Sequence, residues 1–146
     1  MTTLTEPGHL ETVQVHFDDL DALGVVHNAR YVLLLERALS AFWTERGWTF
    51  DPGAADFGDS FFVVREFSIT YHAPITRPGT AAVRMWVERL GSSSVVYGFA
   101  ITSADGAVLH ANGRRVQVKV DPATLRPSPI TGRAREIVSQ LLRSAA

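Results

Sequence analysis

The first regular hydrophobic pattern lies near the N-terminus, where Val13, Val15 and Phe17 alternate with polar residues. A period of two predicts a half-buried strand that carries these three side chains on one face. The acidic stretch that follows, residues 18–24, closes at Gly24 and predicts a loop.

The next segment predicts a long helix that begins near Asn28 and ends near Arg46. Gly47 can adopt the left-handed conformation in which many helices end. The polar positions recur about every seven residues and form one narrow stripe, made of Arg30, Arg37, Thr44 and Glu45. Because the rest of the helix surface is apolar, it must be covered on most sides. The remaining chain predicts strands, so a sheet is expected to wrap around the helix.

Beyond an irregular connection over residues 48–60, four apolar runs predict strands at residues 61–71, 81–90, 93–102 and 107–120. The turns between the last three runs are short, which favours antiparallel neighbours. Thr131 is placed to cap a terminal helix with the apolar residues Ile137, Val138, Leu141 and Leu142. The predicted fold is therefore α+β, with one long helix against a curved five-stranded antiparallel sheet. Apolar residues left on the outside of this sheet favour oligomerisation.

The composition is that of one soluble globular domain, with 146 residues and a net charge of −1. This charge gives no general attraction to nucleic acid, and no apolar run could span a membrane. The N-terminus lacks the features of a signal peptide, so a cytoplasmic location is expected. The chain has no cysteine, and its five histidines show no metal-ligand spacing, so we expect neither a metal nor another cofactor.

Residues 17–39 carry a set of positions that recur together in one enzyme family, namely Asp19, Asp21, Gly24, Tyr31, Glu36, Arg37 and Ala38. In this pattern the chain resembles the 4-hydroxybenzoyl-CoA thioesterase-like proteins, which include acyl-CoA thioesterases associated with the Tol–Pal system. The resemblance extends from about residue 12 to residue 122. Many positions in register are far more specific than one Asp-x-Asp pair.

The resemblance implies a single hotdog thioesterase domain over residues 1–146, with residues 1–10 flexible and residues 123–146 forming a C-terminal extension that contains a helix. It also implies a homodimer with active sites at the interface, and often a homotetramer. The implied substrate is an acyl-CoA or an acyl thioester of acyl carrier protein. No nucleic acid or membrane partner is expected.

The catalytic group implied by the resemblance is Asp21, acting as nucleophile or as general base. The implied oxyanion donor is the main-chain N–H of Asn28, at the positive end of the helix. Gly24 permits an unusual turn between them and close approach of the substrate. His27 either positions water or the thioester, or packs as a neutral side chain bonded to the backbone. His27 and Asn28 depart from the nearest family pattern, which has tyrosine then histidine, so the substrate class stays open.

Other residues receive supporting roles. Asp19 is expected to cap or orient the loop, and Glu36 to hold neighbouring loops or the partner subunit. The acyl pocket is expected to draw on aromatic residues, namely Tyr31, Trp48, Phe61 and Phe62. The small residues Gly91, Ser92, Ser93 and Ser94 resemble the start of the family's pantetheine-side strand. The strand cations Arg84, Arg89, Arg114, Arg115 and Lys119 are either contacts for CoA phosphates or ordinary exposed charges.

Two other functions compete with thioester hydrolysis. A hotdog hydratase or dehydratase needs an Asp and a His about five residues apart with a proline between them, or a His before a proline-rich turn. Here Asp21 and His27 are six residues apart without a proline. A catalytically silent acyl-thioester-binding module remains open, and the variant Asp21→Ala distinguishes it from an enzyme.

Overall fold

The computed structural model describes residues 8–49 and 61–143. Its regular elements are five strands and two α-helices, namely β1 His9–Val15, α1 Tyr31–Glu45, β2 Phe62–Tyr71, β3 Gly79–Leu90, β4 Ser94–Ser103, β5 Leu109–Lys119 and α2 Gly132–Gln140. Two short 3-10 turns, Phe17–Asp19 and Asn28–Arg30, flank the acidic loop. Most of the predicted irregular connection, residues 50–60, lies outside the described residues.

The strands form one antiparallel sheet in the order β1-β3-β4-β5-β2. Strands β3, β4 and β5 follow one another through short turns, and β2 joins beyond β5, so β1 and β2 are the two edges. One long helix against a five-stranded antiparallel sheet confirms the predicted α+β hotdog fold. Among the described residues, no helix combines the length and hydrophobicity that a membrane span requires.

The core lies between α1 and the concave face of the sheet. The helix buries one broad face, made of Tyr31, Leu34, Leu35, Ala38, Leu39 and Phe42. These residues share a hydrophobic cluster with the inward side chains of β3 and β4, such as Val83, Met85, Val95 and Phe99. Since Leu33 is still 36% exposed, one sheet alone does not cover the helix as fully as its apolar surface predicts.

Two local predictions need correction. The first strand ends at Val15, and Phe17 belongs to a 3-10 turn with 84% of its surface exposed, so it does not share the buried face of Val13 and Val15. The chain turns there because the carboxylate of Asp19 accepts the N–H of His16 at 2.8 Å. Thr131 does lie at the start of α2, but its side chain makes no capping hydrogen bond.

The end of α1 agrees with the prediction. The helix ends at Glu45, and Gly47 follows with a φ of +94°. Arg46 lies over the ring of Phe42 at 3.8 Å and donates to the carbonyl of Phe42. The guanidinium therefore covers an apolar ring and satisfies a terminal helix carbonyl at the same time.

Strand β2 leaves an unusual apolar surface open. Register with β5 places Val64, Phe67 and Tyr71 opposite Gln117, Arg115 and Ala111, on the face of the sheet that carries α1. These three side chains are nevertheless 48%, 36% and 47% exposed. Because α1 packs on the β1 and β3 side of the sheet, the described residues cover the concave surface of β2 only in part, through contacts such as Phe67 with Phe99 and Tyr71 with Tyr31.

Candidate active site

The acidic loop before α1 is a tight, internally bonded turn. Leu20 pairs with Val26, the N–H of Asp21 donates to Val25 at 2.8 Å, and the N–H of Gly24 donates to Asp21 at 3.0 Å. Gly24 has a φ of +78°, which side chains with a Cβ rarely adopt. The backbone therefore requires glycine at this position to close the turn that presents Asp21.

Asp19 anchors the loop to the helix. Its buried carboxylate, 1% exposed, accepts from Nη1 of Arg37 at 3.1 Å and from Nη2 at 3.4 Å. Burial alone would raise the pKa of Asp19, but the hydrogen bonds from Arg37 and the N–H of His16 outweigh it and hold the pKa below its usual value. The carbonyl of Asp19 also accepts the N–H of His27 at 3.0 Å. Asp19 thus contacts both ends of the loop.

Asp21 lies in a cavity of about 340 Å³, which we name the Asp21 cavity. It is lined by the loop, the start of the helical region and the end of β2, namely Asp21, Val25, Val26, His27, Asn28, Tyr31, Tyr71, His72, Ala73 and Pro74. One carboxylate oxygen of Asp21 accepts the N–H of Leu23 at 2.8 Å. This bond orients the side chain and leaves its other oxygen without a hydrogen bond to the described residues.

The backbone N–H of Asn28 is the first of the 3-10 turn that leads into α1. Its neighbours Val26, His27, Ala29 and Arg30 all donate their N–H groups to acceptors within the protein. The N–H of Asn28 makes no hydrogen bond to the described part of the chain. An unpaired donor at the start of a helical segment is suited to a developing negative charge.

The imidazole ring of His27 bonds to the backbone and also lines the Asp21 cavity. Its Nδ1 accepts the N–H of Ala29 at 3.1 Å, so the neutral ring carries its proton on Nε2. The ring caps the 3-10 turn through this bond. It also lines the Asp21 cavity, so both predicted roles of His27 are compatible with its position.

Tyr31 and Tyr71 form the far wall of the Asp21 cavity. Their rings meet edge to face at 5.1 Å, and the hydroxyl of Tyr71 donates to the carbonyl of Asn28 at 3.0 Å. Burial raises the pKa of the Tyr31 hydroxyl, which accepts the N–H of Ile75 at 3.4 Å. The Tyr71 contact joins residues that are 43 positions apart, so no local pattern in the sequence could have predicted it.

The structure places Ser92, Ser93 and Ser94 far from Asp21 within one chain. Ser92 and Ser93 lie in the turn between β3 and β4 and Ser94 begins β4, at the end of the sheet where Phe62 pairs with Lys119. The Asp21 cavity lies at the opposite end of β2, where Tyr71 pairs with Ala111. Gly24 shapes the loop but does not line the cavity.

A second cavity of about 410 Å³, which we name the Arg115 cavity, lies beside the C-terminal half of α1. It is lined by Glu36, Leu39, Ser40, Trp43, Trp48, Phe61, Phe62, Tyr97, Arg115 and Gln117. Three of the four aromatic residues predicted for the acyl pocket meet here, whereas the fourth, Tyr31, lines the Asp21 cavity. Burial raises the pKa of Tyr97 to about 12, so its hydroxyl stays protonated at neutral pH.

Two strand cations are not exposed charges. Arg115 is 4% exposed and pairs with Glu36, while Lys119 is 3% exposed and donates to Ser128 and to the carbonyl of Pro129. Glu36 therefore holds a buried strand residue rather than a loop. The sequence left both cations as either contacts for CoA phosphates or exposed strand charges. Their burial could not be predicted, because burial on a sheet face depends on partners distant in the chain.

The described residues bring three possible metal ligands, His9, Glu11 and Glu45, within 4.8 Å of one another. His9 already contacts Glu11 at 2.8 Å, and Arg46 lies 3.9 Å from Glu45. The cluster lies at the C-terminal end of α1, whereas the Asp21 cavity lies at its start. It therefore has no part in the chemistry at Asp21.

Comparisons with known proteins identify relatives of this chain. A model of the family described as the thioesterase superfamily matches residues 23–110. The acyl-CoA thioester hydrolase YbgC of Escherichia coli is 30% identical over 115 residues, which cover 79% of this chain and 84% of that protein.

Solved structures share the fold over nearly the whole chain. The PA5185 protein from Pseudomonas aeruginosa is 29% identical with a TM-score of 0.82, over 97% of this chain and 99% of that one. The 1,4-dihydroxy-2-naphthoyl-CoA thioesterase Slr0204 from Synechocystis has a TM-score of 0.80 over 92% of this chain and 97% of that one. Its identity is 17%, so this second likeness concerns the fold alone.

The Asp19 anchor generates a stability prediction. We expect Asp19→Asn to lower the free energy of unfolding by about 1–3 kcal/mol at neutral pH, because a buried charged hydrogen-bond network loses its charge. The native pKa of Asp19 lies below the unfolded value of about 3.9. The difference between wild type and variant should therefore be full above that value and vanish as the pH falls through the native pKa. Urea unfolding at a series of pH values measures it. A difference that does not depend on pH would contradict the charge argument.

Proposed function

We propose that this chain, which belongs to the thioesterase superfamily, hydrolyses acyl-CoA thioesters with Asp21 as its catalytic carboxylate. The observation that carries the proposal is a single cavity lined by an acceptor and a donor. The acceptor is the Asp21 carboxylate, and the donor is the unpaired N–H of Asn28. The enzyme is a thioester hydrolase, as its family and its relative YbgC support. A cytoplasmic location stays a prediction.

Hydrolysis needs a nucleophile on the thioester carbon and a stabilised oxygen. In one route, Asp21 takes a proton from water while the water oxygen bonds to the carbonyl carbon. In the other, a carboxylate oxygen of Asp21 attacks directly, and water then cleaves the resulting anhydride. In both routes the carbonyl oxygen gains negative charge and accepts the N–H of Asn28. The carbon–sulfur bond then breaks, which in the second route is the step that forms the anhydride. The CoA thiolate takes the proton from Asp21 in the first route and a proton from water in the second.

The surrounding residues position these two groups. Gly24 closes the turn that presents Asp21, and Asp19 fixes that turn to α1. Tyr71 holds the carbonyl of Asn28 and so restrains the turn that carries the donor. His27 caps this turn through Nδ1, and its Nε2–H is available to water or to the thioester. Tyr31 supplies an apolar wall on the same side.

We also propose a homodimer that forms along β2. The exposed apolar side chains of this edge strand, Val64, Phe67 and Tyr71, support a second copy as their cover. Two copies related by a twofold axis near the middle of β2 pair these strands antiparallel. The Phe62 end of one copy then lies beside the Tyr71 end of the other.

This pairing explains why the predicted substrate contacts lie apart within one chain. The turn with Ser92, Ser93 and Ser94 lies at the Phe62 end of the sheet. In the proposed dimer it approaches the partner's Asp21 cavity and can contact the pantetheine arm. An acyl thioester of acyl carrier protein could bind in the same way, because the carrier also presents its acyl group on a pantetheine arm. A tetramer of two such dimers stays a prediction.

The role of Asp21 is tested by Asp21→Ala with Asp18→Ala as the matched control. Asp18 is an exposed carboxylate in the same loop region. We expect Asp21→Ala to lose at least about 1,000-fold in kcat, as for the loss of a catalytic group, and Asp18→Ala to stay near wild type. Free-thiol release is measured over aliphatic and aromatic acyl-CoAs and acyl carrier protein esters, with and without a chelator.

The outcomes separate an enzyme from a binding module. If wild-type protein releases no thiol from any ester, hydrolysis is wrong and the silent module is favoured. If Asp21→Ala keeps wild-type activity with an unchanged fold and oligomer, another group is the catalyst. Activity that a chelator abolishes would contradict a metal-free reaction.

The role of Tyr71 is tested by Tyr71→Phe, which removes one hydroxyl and keeps the ring against Tyr31. We expect kcat to fall about 2- to 10-fold, the value of one hydrogen bond, with KM nearly unchanged. The oligomer size should not change. A raised KM with an unchanged kcat would instead indicate that Tyr71 only binds substrate.

The dimer surface is tested by the double variant Val64→Lys and Phe67→Lys. Charges on this face should oppose a second copy, so sedimentation should show a monomer with native circular dichroism and little activity. Val63→Lys is the matched control, because Val63 is 38% exposed and its side chain lies on the other face of β2. If the double variant remains a dimer of full activity, β2 is not the interface.

A further inference from the structure

The Arg115 cavity holds a buried charge that the reaction at Asp21 does not use. Arg115 is 4% exposed, and its Nε atom is buried without a hydrogen-bond acceptor among the described residues. Around it, Trp43, Trp48 and the two phenylalanines form apolar walls. A buried donor without an acceptor is costly. A ligand that brings an oxygen atom to the guanidinium would remove this cost.

Charge balance decides which oxygen suits the cavity. Nη1 of Arg115 is in ion-pair contact with Oε1 of Glu36, whose side chain is 48% exposed at the cavity. The pair is neutral as a unit, so a second carboxylate would meet repulsion from Glu36. An uncharged oxygen can accept from Arg115 without that repulsion, and a hydroxyl can also donate to Glu36.

The Arg115 cavity lies where the proposed dimer would bring the second subunit close. Within one chain, Tyr31 at the Asp21 cavity and Trp43 at the Arg115 cavity are about 18 Å apart along α1, at about 1.5 Å per residue. The two cavities also contact opposite ends of β2, at Tyr71 and at Phe62. Antiparallel pairing of two β2 strands therefore sets the Arg115 cavity of one copy beside the Asp21 cavity of the other.

We propose that the Arg115 cavity receives the far end of the acyl group bound at the partner's Asp21, and that it selects acyl groups ending in an uncharged oxygen. This inference rests on the proposed function and on the proposed dimer. It makes Arg115 and Glu36 determinants of substrate specificity, while the catalytic groups remain those of the other subunit.

Matched substrates test the selection. Unsubstituted acyl-CoAs from butanoyl to decanoyl are compared with their ω-hydroxy counterparts and with the corresponding ω-carboxy esters. At the chain length that reaches the cavity, we expect kcat/KM for the ω-hydroxy ester to exceed that of the unsubstituted ester by about fivefold. The ω-carboxy ester should be hydrolysed more slowly than the ω-hydroxy ester.

Two variants with the same substitution assign the effect to Arg115. In Arg115→Met the ω-hydroxy preference should fall to about one or below, because the donor is gone. Arg114→Met is the control, since Arg114 is 61% exposed and pairs with Glu88 on the other face of β5. It should leave the ratio between the two substrates unchanged, even if CoA binding itself changes.

If Arg115→Met does not fold, the variant Ser40→Met still tests whether the acyl group enters the Arg115 cavity. Ser40 lines the Arg115 cavity from α1 and is exposed. Ser40→Met fills part of the cavity without touching the buried ion pair, so the longest chain that is accepted should shorten. An unchanged chain-length limit would contradict an acyl group in this cavity.

A mixed dimer tests the arrangement across the interface. One subunit carries Asp21→Ala and the other carries Arg115→Met, and the mixed species is purified through two different affinity tags. If the site is shared, one of its two sites combines an intact Asp21 with an intact Arg115, and the ω-hydroxy preference returns. If each chain uses its own cavity, the only active site has Met at position 115 and the preference is absent.

The outcomes also separate this inference from the proposed function. If wild-type enzyme hydrolyses unsubstituted acyl-CoAs but shows no ω-hydroxy preference at any chain length, only the inference is wrong. A preference for ω-carboxy esters would contradict the selection of acyl groups that end in an uncharged oxygen. If no ester of any kind releases thiol, the proposed function itself is wrong.

Discussion

The candidate active site depends on one buried carboxylate, that of Asp19, which joins the loop before α1 to the helix itself. Its side chain accepts from Arg37 and from the N–H of His16, and its carbonyl accepts the N–H of His27. Both ends of the loop are therefore tied to one residue. This arrangement lets a surface turn hold Asp21 beside the start of the helical region, where a backbone donor is left unpaired. A charged group buried in this way must be fully bonded, and here its partners are the elements that have to be aligned.

Two features of the described residues lack a partner within a single chain. Strand β2 presents apolar side chains that the described chain covers only in part, and Arg115 is buried with an Nε–H donor that lacks an acceptor among the described residues. A second subunit on β2 would cover the apolar side chains, and an oxygen on the substrate would accept the hydrogen bond from Arg115. The same pairing would bring the serine turn to the partner's Asp21. Stability of the assembly and recognition of the acyl group would then depend on one surface.

Much of the site could be predicted because it is local in the chain. Asp21, Gly24, His27 and Asn28 lie within eight consecutive residues, so the loop and the helix start alone bring them together. The supporting residues were harder to predict. Tyr71 reaches Asn28 from a distant strand, and Arg115 reaches Glu36 from another. A tyrosine or an arginine on a strand carries no local sign of such a contact, because strand pairing and helix packing decide which side chains meet.

By itself, the sequence determined the α+β class, the long helix, the antiparallel strands and the loop that carries Asp21. These features follow from hydrophobic period, turn residues and helix-end signals, which act over a few residues. Only the tertiary structure decided that Phe17 is exposed, that Arg115 and Lys119 are buried, and that the serine turn lies at the opposite end of the sheet from Asp21. The physical reason is that burial and contact on a sheet depend on register between strands distant in the chain. A one-residue change in that register reverses the face on which a side chain lies.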